Sequence, residues 1–372
     1  MVCWGGQGAP LTVRFIDFTY EEFVPDSPGE GPLLPPGWLA LTPGLSDPRQ
    51  AWLAQERRFA SHGSARHFVA LDGSCPVAGL SAFLDERLAP RGEVATFGLP
   101  YLADPKCGPA LHALLDRVES WCAGLGVSVL RGPISYSTWY PNRFPSSETT
   151  SDRFPGEPPY PVWLRAPFLV RGFEVEQTYF SVLSEPVDRF VSRIEGAARY
   201  VRSKGVTFQA FTGTEIPAVF REAHPFCQRA FGNNFSFTSI DAREFEEIFA
   251  PAARLPDARV ITARDAGGVL VGLVFGYGAP GFRMPGLPEG DCRIAVLKSI
   301  ATEPDRAELM AGPVLSYEFH RACMNLGYGR VVHALMAQQH YAIGRSSPAV
   351  VPLREYVILR KPVPPGPAGE AR

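Results

Sequence analysis

The residues with the clearest chemical potential lie where a predicted strand ends and a predicted helix begins. Residues 294–301 form an apolar, strand-like run, Glu303 and Pro304 end it, and Gly312 opens an amphipathic helix. This order of strand, loop and helix can cradle an anion, because free backbone N–H groups and the positive end of the helix dipole meet there. We therefore take this stretch as the candidate site.

Other chemistries have little support in the sequence. No pair of Cys or His residues has zinc-site spacing, and neither a Gly-x-Ser-x-Gly elbow nor a Gly-rich loop ending in Lys-Ser/Thr is present. We therefore expect no metal. Seven cysteines are scattered without a close pair, which predicts buried free thiols and a reducing, cytoplasmic setting.

Charge and hydropathy restrict the partners. The formal net charge of -2 provides no broad cationic surface, so neither DNA nor an anionic membrane surface is an expected partner. No run approaches the roughly 18 apolar residues that a membrane span needs. The sequence predicts a soluble protein and leaves its oligomeric state open.

Length and loop composition indicate two domains. The chain has 372 residues and 45% hydrophobic content, enough for two separate cores. Residues 131–167 are rich in Pro, Gly and aromatic side chains, as in a functional loop or a domain connector. We predict domains at residues 1–185 and 186–372. Each is an α/β (α+β mixed) unit in which a mostly antiparallel twisted sheet is flanked by helices.

Landmarks of the first half recur in the second half. Asp72 and Asp265 each lie seven residues before a Gly-Leu pair, across a turn between two strands. Leu125-Gly126 and Leu326-Gly327 each end a helix that precedes an apolar strand. Two copies of one strand, hairpin and helix plan are therefore plausible, with coincidence of common turn signals as the alternative.

In this order of elements the chain resembles a bacterial tandem of two domains of the GNAT superfamily of N-acetyltransferases. The matching segments are the hairpin, helix and strand end at 67–73, 111–122 and 131–135, and the hairpin, acyl-CoA strand, helix and two strands at 259–278, 295–301, 312–325, 331–336 and 354–359. The resemblance implies a transferase whose donor is acetyl-CoA or another acyl-CoA and whose acceptor is a small-molecule amine.

The loop that binds the pyrophosphate of coenzyme A in this family is degenerate here. Counting from Pro304, Ala307 stands at the family's Arg position, and Glu308 and Met310 stand at its first two Gly positions. Gly312 is the one glycine that matches. A carboxylate at Glu308 would repel a pyrophosphate. The N-terminal half has no such loop, so the resemblance favours the C-terminal half as the catalytic one.

Acyl transfer to an amine needs a polarising amide, a base and an acid. The resemblance implies that the backbone of Ser299, Ile300 and Ala301 binds the acyl donor together with Gly312. Glu303, at the end of the strand, is a candidate base, although a charge at a helix start explains it as well.

Two further side chains are candidates for proton transfer. His333 lies in an apolar strand and is either a base or a satisfied core histidine. Tyr341 follows that strand, in the region where the family often has a general acid, or it is a packing tyrosine. His224 and residues 231–235 could line an acceptor pocket, although a helix end explains them equally well.

Two alternatives to an acyl-CoA-dependent transferase stay open. Some tandem GNAT-like ligases lack the pyrophosphate loop and take an aminoacyl-tRNA, so tRNA is not excluded as a partner. The other alternative is a non-catalytic, degenerate GNAT protein that binds a ligand. Full burial of Glu303, His333 and Tyr341 without a cleft would favour that second alternative.

Overall fold

The structure is a computed structural model, and it describes residues 13–19, 34–35, 38, 48–149, 151–338 and 350–365. The chain divides into two compact units. The N-terminal unit comprises Met1–Pro145, Pro158–Gln177 and Val357–Arg372, and the C-terminal unit comprises Ser146–Glu157 and Thr178–Tyr356. These packing units are interleaved along the chain. The consecutive domains 1–185 and 186–372 stay a prediction.

The N-terminal unit is a sheet with helices packed on it. Its elements are β1 (Val13–Phe18), α1 (Pro48–Phe59), β2 (Gly63–Asp72), β3 (Cys75–Asp85), β4 (Val94–Leu102), α2 (Gly108–Gly124), β5 (Val129–Gly132), β6 (Phe144–Pro145) and α3 (Ala166–Val170). Strands β1 to β4 pair in succession as antiparallel neighbours, and β4 and β5 are parallel. The helix predicted at 111–122 corresponds to α2, and its apolar side chains are buried in the core.

The C-terminal unit repeats this plan. The elements after β7 (Glu174–Leu183) are α4 (Val187–Ser203), β8 (Thr207–Thr212), α5 (Ile216–Phe231), α6 (Ala242–Phe249), β9 (Arg259–Arg264), β10 (Leu270–Gly278), β11 (Ile294–Thr302), α7 (Ala311–Asn325), β12 (Arg330–Ala337) and β13 (Val351–Pro362). Strands β8 to β11 pair antiparallel in succession, and β11 and β12 are parallel. The predicted mixed α/β class with mostly antiparallel strands is confirmed.

In each unit, the strand that pairs with β5 or with β12 is not the one that follows it in the sequence. Residues 359–362 of β13 pair antiparallel with β5 in the N-terminal unit. In the C-terminal unit β12 pairs antiparallel with residues 179–183 of β7. Strand β5 is therefore paired with β13, which follows all other described strands, and β12 is paired with the strand that precedes the other elements of its unit.

Helix α7 is the central helix of the C-terminal unit. It packs on β10 and β11 with one side and on α4 with another, and it is buried around much of its circumference. Two glycines of β10 permit this close approach. A Cβ at Gly272 would lie 2.6 Å from Leu315 Cδ1, and one at Gly276 would lie 2.3 Å from Phe319 Cζ.

The cysteines depart from the prediction of buried free thiols at two positions, because Cys75 is disulfide-bonded and Cys292 is exposed. Cys75 is disulfide-bonded, whereas Cys107, Cys122, Cys227, Cys292 and Cys323 are free thiols. The scattered spacing of cysteines in the sequence could not show which of them meet in space. No helix in the described ranges has the length and apolar character needed to cross a membrane.

Candidate active site

Strands β11 and β12 part in the middle of the C-terminal unit. Their parallel pairing runs from Ile294 with Arg330 to Leu297 with His333 and then stops. Both strands continue, to Thr302 and to Ala337. No described strand pairs with the edge of β11 that faces away from β10 beyond Leu297. The two strands therefore form the sides of a wedge, at the place where the sequence predicts the acyl donor.

A bulge lies at the start of this wedge. Phe275 of β10 is opposite Ser299, and the next residue, Gly276, is opposite Leu297. Lys298 has no partner in this ladder, so β11 carries one extra residue there. Such a bulge bends a strand and redirects its side chains, and it coincides with the point at which β11 leaves β12.

Backbone amides of β11 face β10 and the open edge in alternation. The amide of Glu303 donates to Val271 O of β10 at 3.0 Å. Because hydrogen-bonding groups alternate in direction along an antiparallel strand, the amides of Ala301 and Ser299 also face β10, and that of Ile300 faces the wedge. Ile300 is 38% exposed. Of the three backbone donors predicted here, Ile300 is the one that geometry leaves free for a ligand.

His333 lies at the point where the wedge opens. It is the last residue of β12 that pairs with β11, and its side chain is partly exposed. Its Nε2 lies 3.3 Å from Nε2 of His320, a fully buried residue of α7. The ring of Phe190 stacks on His320 with centroids 3.8 Å apart. The sequence analysis missed His320, because its partner is 13 residues away on another element.

Both histidines are neutral at physiological pH. Burial lowers the pKa of His333 to about 4. Burial lowers the pKa of His320 well below its ordinary value, and the charges of His333 and Arg193 lower it further. An uncharged imidazole can accept a proton, so this pair retains the capacity for base chemistry.

Glu303 is engaged in an ion pair outside the wedge. Its Oε2 lies 2.9 Å from Nη2 of Arg229 on α5. The amide of Glu303 faces β10, so the residue caps the end of the β10–β11 ladder. This arrangement fits the structural interpretation of Glu303 better than the catalytic one.

The loop before α7 offers few amides to an anion. Residues Pro304–Leu309 form a 3-10 helix, and the amides of Arg306 and Met310 donate to carbonyls of the same loop. Pro313, in the first turn of α7, has no N–H. Gly312 lies at the second position of α7. Its predicted role as a cofactor contact stays a prediction, and Tyr341 lies outside the described residues.

A loop covers the face of the sheet opposite α7. Tyr277 Oη donates to Pro155 O at 2.5 Å, and Lys298 Nζ donates to Gly156 O at 2.7 Å. Gly156 has φ +76, and a Cβ there would lie 2.8 Å from Tyr277 Oη. The bulged lysine thus anchors this loop beside the wedge. Sequence reasoning identified the long loop but not its two anchors, because neither has a local signal.

The carboxylate of Glu157 holds the end of the same loop. Its Oε1 accepts from Tyr356 Oη at 2.7 Å and lies 2.6 Å from Arg354 Nε, and all three side chains are buried. Burial raises the pKa of Glu157, although Tyr356 and Arg354 oppose the rise. A buried carboxylate that is bound by both Tyr356 and Arg354 holds the loop in one position.

His224 is a structural residue of α5. Its Nε2 lies 2.8 Å from Ile240 O, and its ring packs edge-on against Phe245 of α6. These contacts hold the α5–α6 connection, so the predicted pocket role for His224 has no support from the geometry. Within the described part of the chain, no group of three or more His, Cys, Asp or Glu side chains could hold a metal ion.

The corresponding place in the N-terminal unit is filled by its own chain. Strands β4 and β5 pair over three residues before they part, as β11 and β12 part after four. There, however, the amide of Ile134 donates to Phe97 O at 2.7 Å, and that of Leu99 donates to Ser135 Oγ at 3.1 Å. Trp38 Nε1 donates to Leu99 O at 2.7 Å. The backbone that is free at Ile300 thus has partners in this unit.

Several solved structures are similar to this chain. A tandem GNAT protein from the clavulanic acid biosynthesis pathway superposes with a TM-score of 0.51 at 14% identity, covering 96% of this chain and 100% of that one. A probable N-acyltransferase from Enterococcus faecalis gives 0.48 at 11% identity, with 95% and 73% covered. A GCN5-related N-acetyltransferase from Sphaerobacter thermophilus gives 0.43 at 12% identity, with 81% of each chain covered.

Sequence comparisons give no further relationship. No family model matches the chain, and no similar sequence was found among curated proteins. The predicted tandem GNAT fold is confirmed by the first of the structural neighbours, which spans nearly the whole of both chains.

Proposed function

We propose that the C-terminal unit transfers an acyl group from a CoA-type thioester to the amine of a small molecule. One observation carries the proposal: β11 and β12 part after Leu297 and His333 and leave the Ile300 amide on an open edge. A free backbone donor beside a neutral imidazole is what amide formation from a thioester requires. The shared fold supports the same chemistry.

The reaction needs one carbon–nitrogen bond to form and one carbon–sulfur bond to break. The amine attacks the thioester carbonyl carbon, and negative charge develops on the carbonyl oxygen. The Ile300 N–H donates to this oxygen and stabilises the tetrahedral intermediate. The intermediate then collapses, the thiolate departs and takes up a proton, and the products are an amide and a free thiol.

His333 is the better candidate base of the two on the described chain. It lies at the opening of the wedge and is neutral at pH 7. Glu303 is paired with Arg229 and caps the ladder with β10. In this proposal His333 takes the proton that the attacking nitrogen loses, and Glu303 holds the end of β11.

The donor is held mainly by its pantetheine arm. The edge of β11 can hydrogen-bond the amides of that arm, whereas the loop at Pro304–Leu309 uses amides internally and carries Glu308. We therefore expect acetyl-CoA and acetyl-pantetheine, which lacks the nucleotide, to differ by less than about tenfold in kcat/KM, or less than about 1.4 kcal/mol. A preference for acetyl-CoA of more than about 100-fold would show that the nucleotide is recognised.

Ile300→Pro tests the central observation. Proline removes the amide that faces the wedge but no hydrogen bond to β10, and proline is tolerated where a strand edge is unpaired. Loss of one oxyanion donor predicts a fall in kcat of about 10²–10³. Activity with acyl-CoA donors within about twofold of wild type would refute the proposed role of Ile300.

Ala301→Pro is the matched control. The Ala301 amide faces β10, so this change breaks the ladder between Ala301 and Leu273. It should lower the free energy of unfolding by about 1–3 kcal/mol, whereas Ile300→Pro should lower it less. Urea unfolding of both variants separates a catalytic loss from a folding loss.

A further inference from the structure

We propose that His320 is a positioning residue that fixes the tautomer of His333 and leaves Nδ1 of His333 as the basic nitrogen. The inference rests on the proposed function and deepens it. Its evidence is a chain of three groups, Ser316, His320 and His333, that joins the first half of α7 to the opening of the wedge.

The first link determines where His320 carries its hydrogen. Nδ1 of His320 lies 2.8 Å from the Ser316 carbonyl oxygen. A carbonyl oxygen only accepts hydrogen bonds, so Nδ1 of His320 must be the donor. In the neutral ring the hydrogen is then on Nδ1, and Nε2 of His320 carries only a lone pair.

The second link transfers this constraint to His333. Nε2 of His320 and Nε2 of His333 are 3.3 Å apart, and since the former can only accept, the latter must donate. His333 therefore carries its hydrogen on Nε2, and its Nδ1 is unprotonated. Nδ1 of His333 has no hydrogen-bond partner among the described residues, and the side chain is partly exposed. Its lone pair is thus accessible to a substrate proton.

The surroundings hold His320 in place and keep it uncharged. Its ring is fully buried and stacks on Phe190 of α4. The nearest cationic side chain on α4, Arg193, is itself bound through Nε to Glu185 Oε1 at 2.8 Å. No carboxylate in the described contacts of His320 would stabilise a second proton. His320 therefore acts as an acceptor and not as a relay.

The arrangement suits a base that works in one step. When Nδ1 of His333 takes the proton from the attacking amine, the ring becomes an imidazolium and still donates from Nε2 to His320. No bond of the chain breaks, and no proton passes to His320. The imidazolium can then return its proton to the departing thiolate, which leaves both histidines as they began.

The test combines a spectroscopic readout with two substitutions. In the wild-type protein labelled with ¹⁵N-histidine, NMR should show His333 as the Nε2–H tautomer at pH 7. His320→Phe keeps the stack on Phe190 and removes the acceptor, so His333 should become a mixture of tautomers. In the same variant kcat should fall by about 10²-fold, with KM within about threefold of wild type. His320→Gln supplies an acceptor oxygen and should restore most of the Nε2–H tautomer and of kcat.

Three results would overturn the proposal. The first is an Nδ1–H tautomer of His333 in the wild-type protein, which is decisive even if His320→Phe does not fold. The second is an unchanged tautomer in His320→Phe. The third is a changed tautomer without a change in kcat. If no amine is acylated by the wild-type protein, the proposed function fails, and the spectra of the wild type and of His320→Phe still decide whether His320 sets the tautomer.

Discussion

Acid should destabilise this protein through the buried histidine pair. Burial holds the pKa of His333 at about 4 in the folded protein, against an ordinary 6.5. As pH falls through 6.5, the unfolded chain binds a proton that the folded chain does not bind. The stability contribution of a neutral His333 is therefore complete above about pH 6.5 and is lost between about pH 6.5 and 4. His320, whose pKa is lowered further, acts in the same direction.

The size of the effect follows from the pKa difference. A lowering of about 2.5 at about 1.4 kcal/mol for each pKa unit gives about 3 kcal/mol for His333 alone. This is a substantial part of the 5–15 kcal/mol that holds a typical domain folded. Glu157 acts in the opposite direction, because burial raises the pKa of this carboxyl and protonation then favours the folded state at low pH. The comparison must therefore be made between variants and not on the wild-type curve alone.

Urea unfolding at pH 7.5, 5.5 and 4.5 measures the effect. Wild type should lose free energy of unfolding over this range, and the double variant His320→Phe with His333→Leu should lose at least about 3 kcal/mol less, because it lacks both histidines. His112→Gln in the N-terminal unit is a control for the removal of a histidine elsewhere, and it should keep the wild-type dependence. The reasoning is refuted if the double variant and wild type lose stability in parallel.

Four further substitutions test separate parts of the structure. Gly276→Ala should destabilise the protein by about 1–3 kcal/mol, because its Cβ would lie 2.3 Å from Phe319 Cζ. Gly312→Ala should stabilise it by about 0.5–1 kcal/mol, because the new Cβ would lie 3.5 Å from the nearest atom. Equal effects of the two substitutions in urea unfolding would contradict this. Glu303→Gln should leave kcat within about threefold of wild type and cost less than about 1 kcal/mol, and a loss of 100-fold in a turnover assay would make Glu303 the base. Tyr277→Phe should cost about 1 kcal/mol in urea unfolding through the lost bond to Pro155 O, and an unchanged free energy would show that this hydroxyl does not anchor the loop.

The parts of the fold that sequence reasoning predicted are those with local signals. The apolar run at 294–301 and the helix that Gly312 opens correspond to β11 and α7. Both could be predicted because hydrophobic periodicity and the Pro and Gly residues at the ends of an element are local features of the sequence. The pairing of β13 with β5 could not be predicted in this way. Alternating side chains define the faces of a strand but not its neighbour.

The candidate site was predictable only in part, for a related reason. His333 stood out as a histidine in an apolar strand, and Ile300 lay among the backbone donors implied by the family resemblance. His320 did not stand out, since the role of this helical histidine depends on its contact with His333 on another element. The bulge at Lys298 results from the register of β10 and β11, which cannot be determined from a single sequence.

The interleaved units determine the order in which the chain can fold during synthesis. Strand β5 of the N-terminal unit pairs with β4 on one side and obtains its partner on the other side only when residues 359–362 leave the ribosome. At synthesis rates of roughly 5–20 residues per second, that edge of the sheet remains unpaired for about 10 s or longer. An unpaired edge is a site for pairing with other chains. The nascent protein therefore passes through a period of exposure to aggregation, which ends only with its last strand.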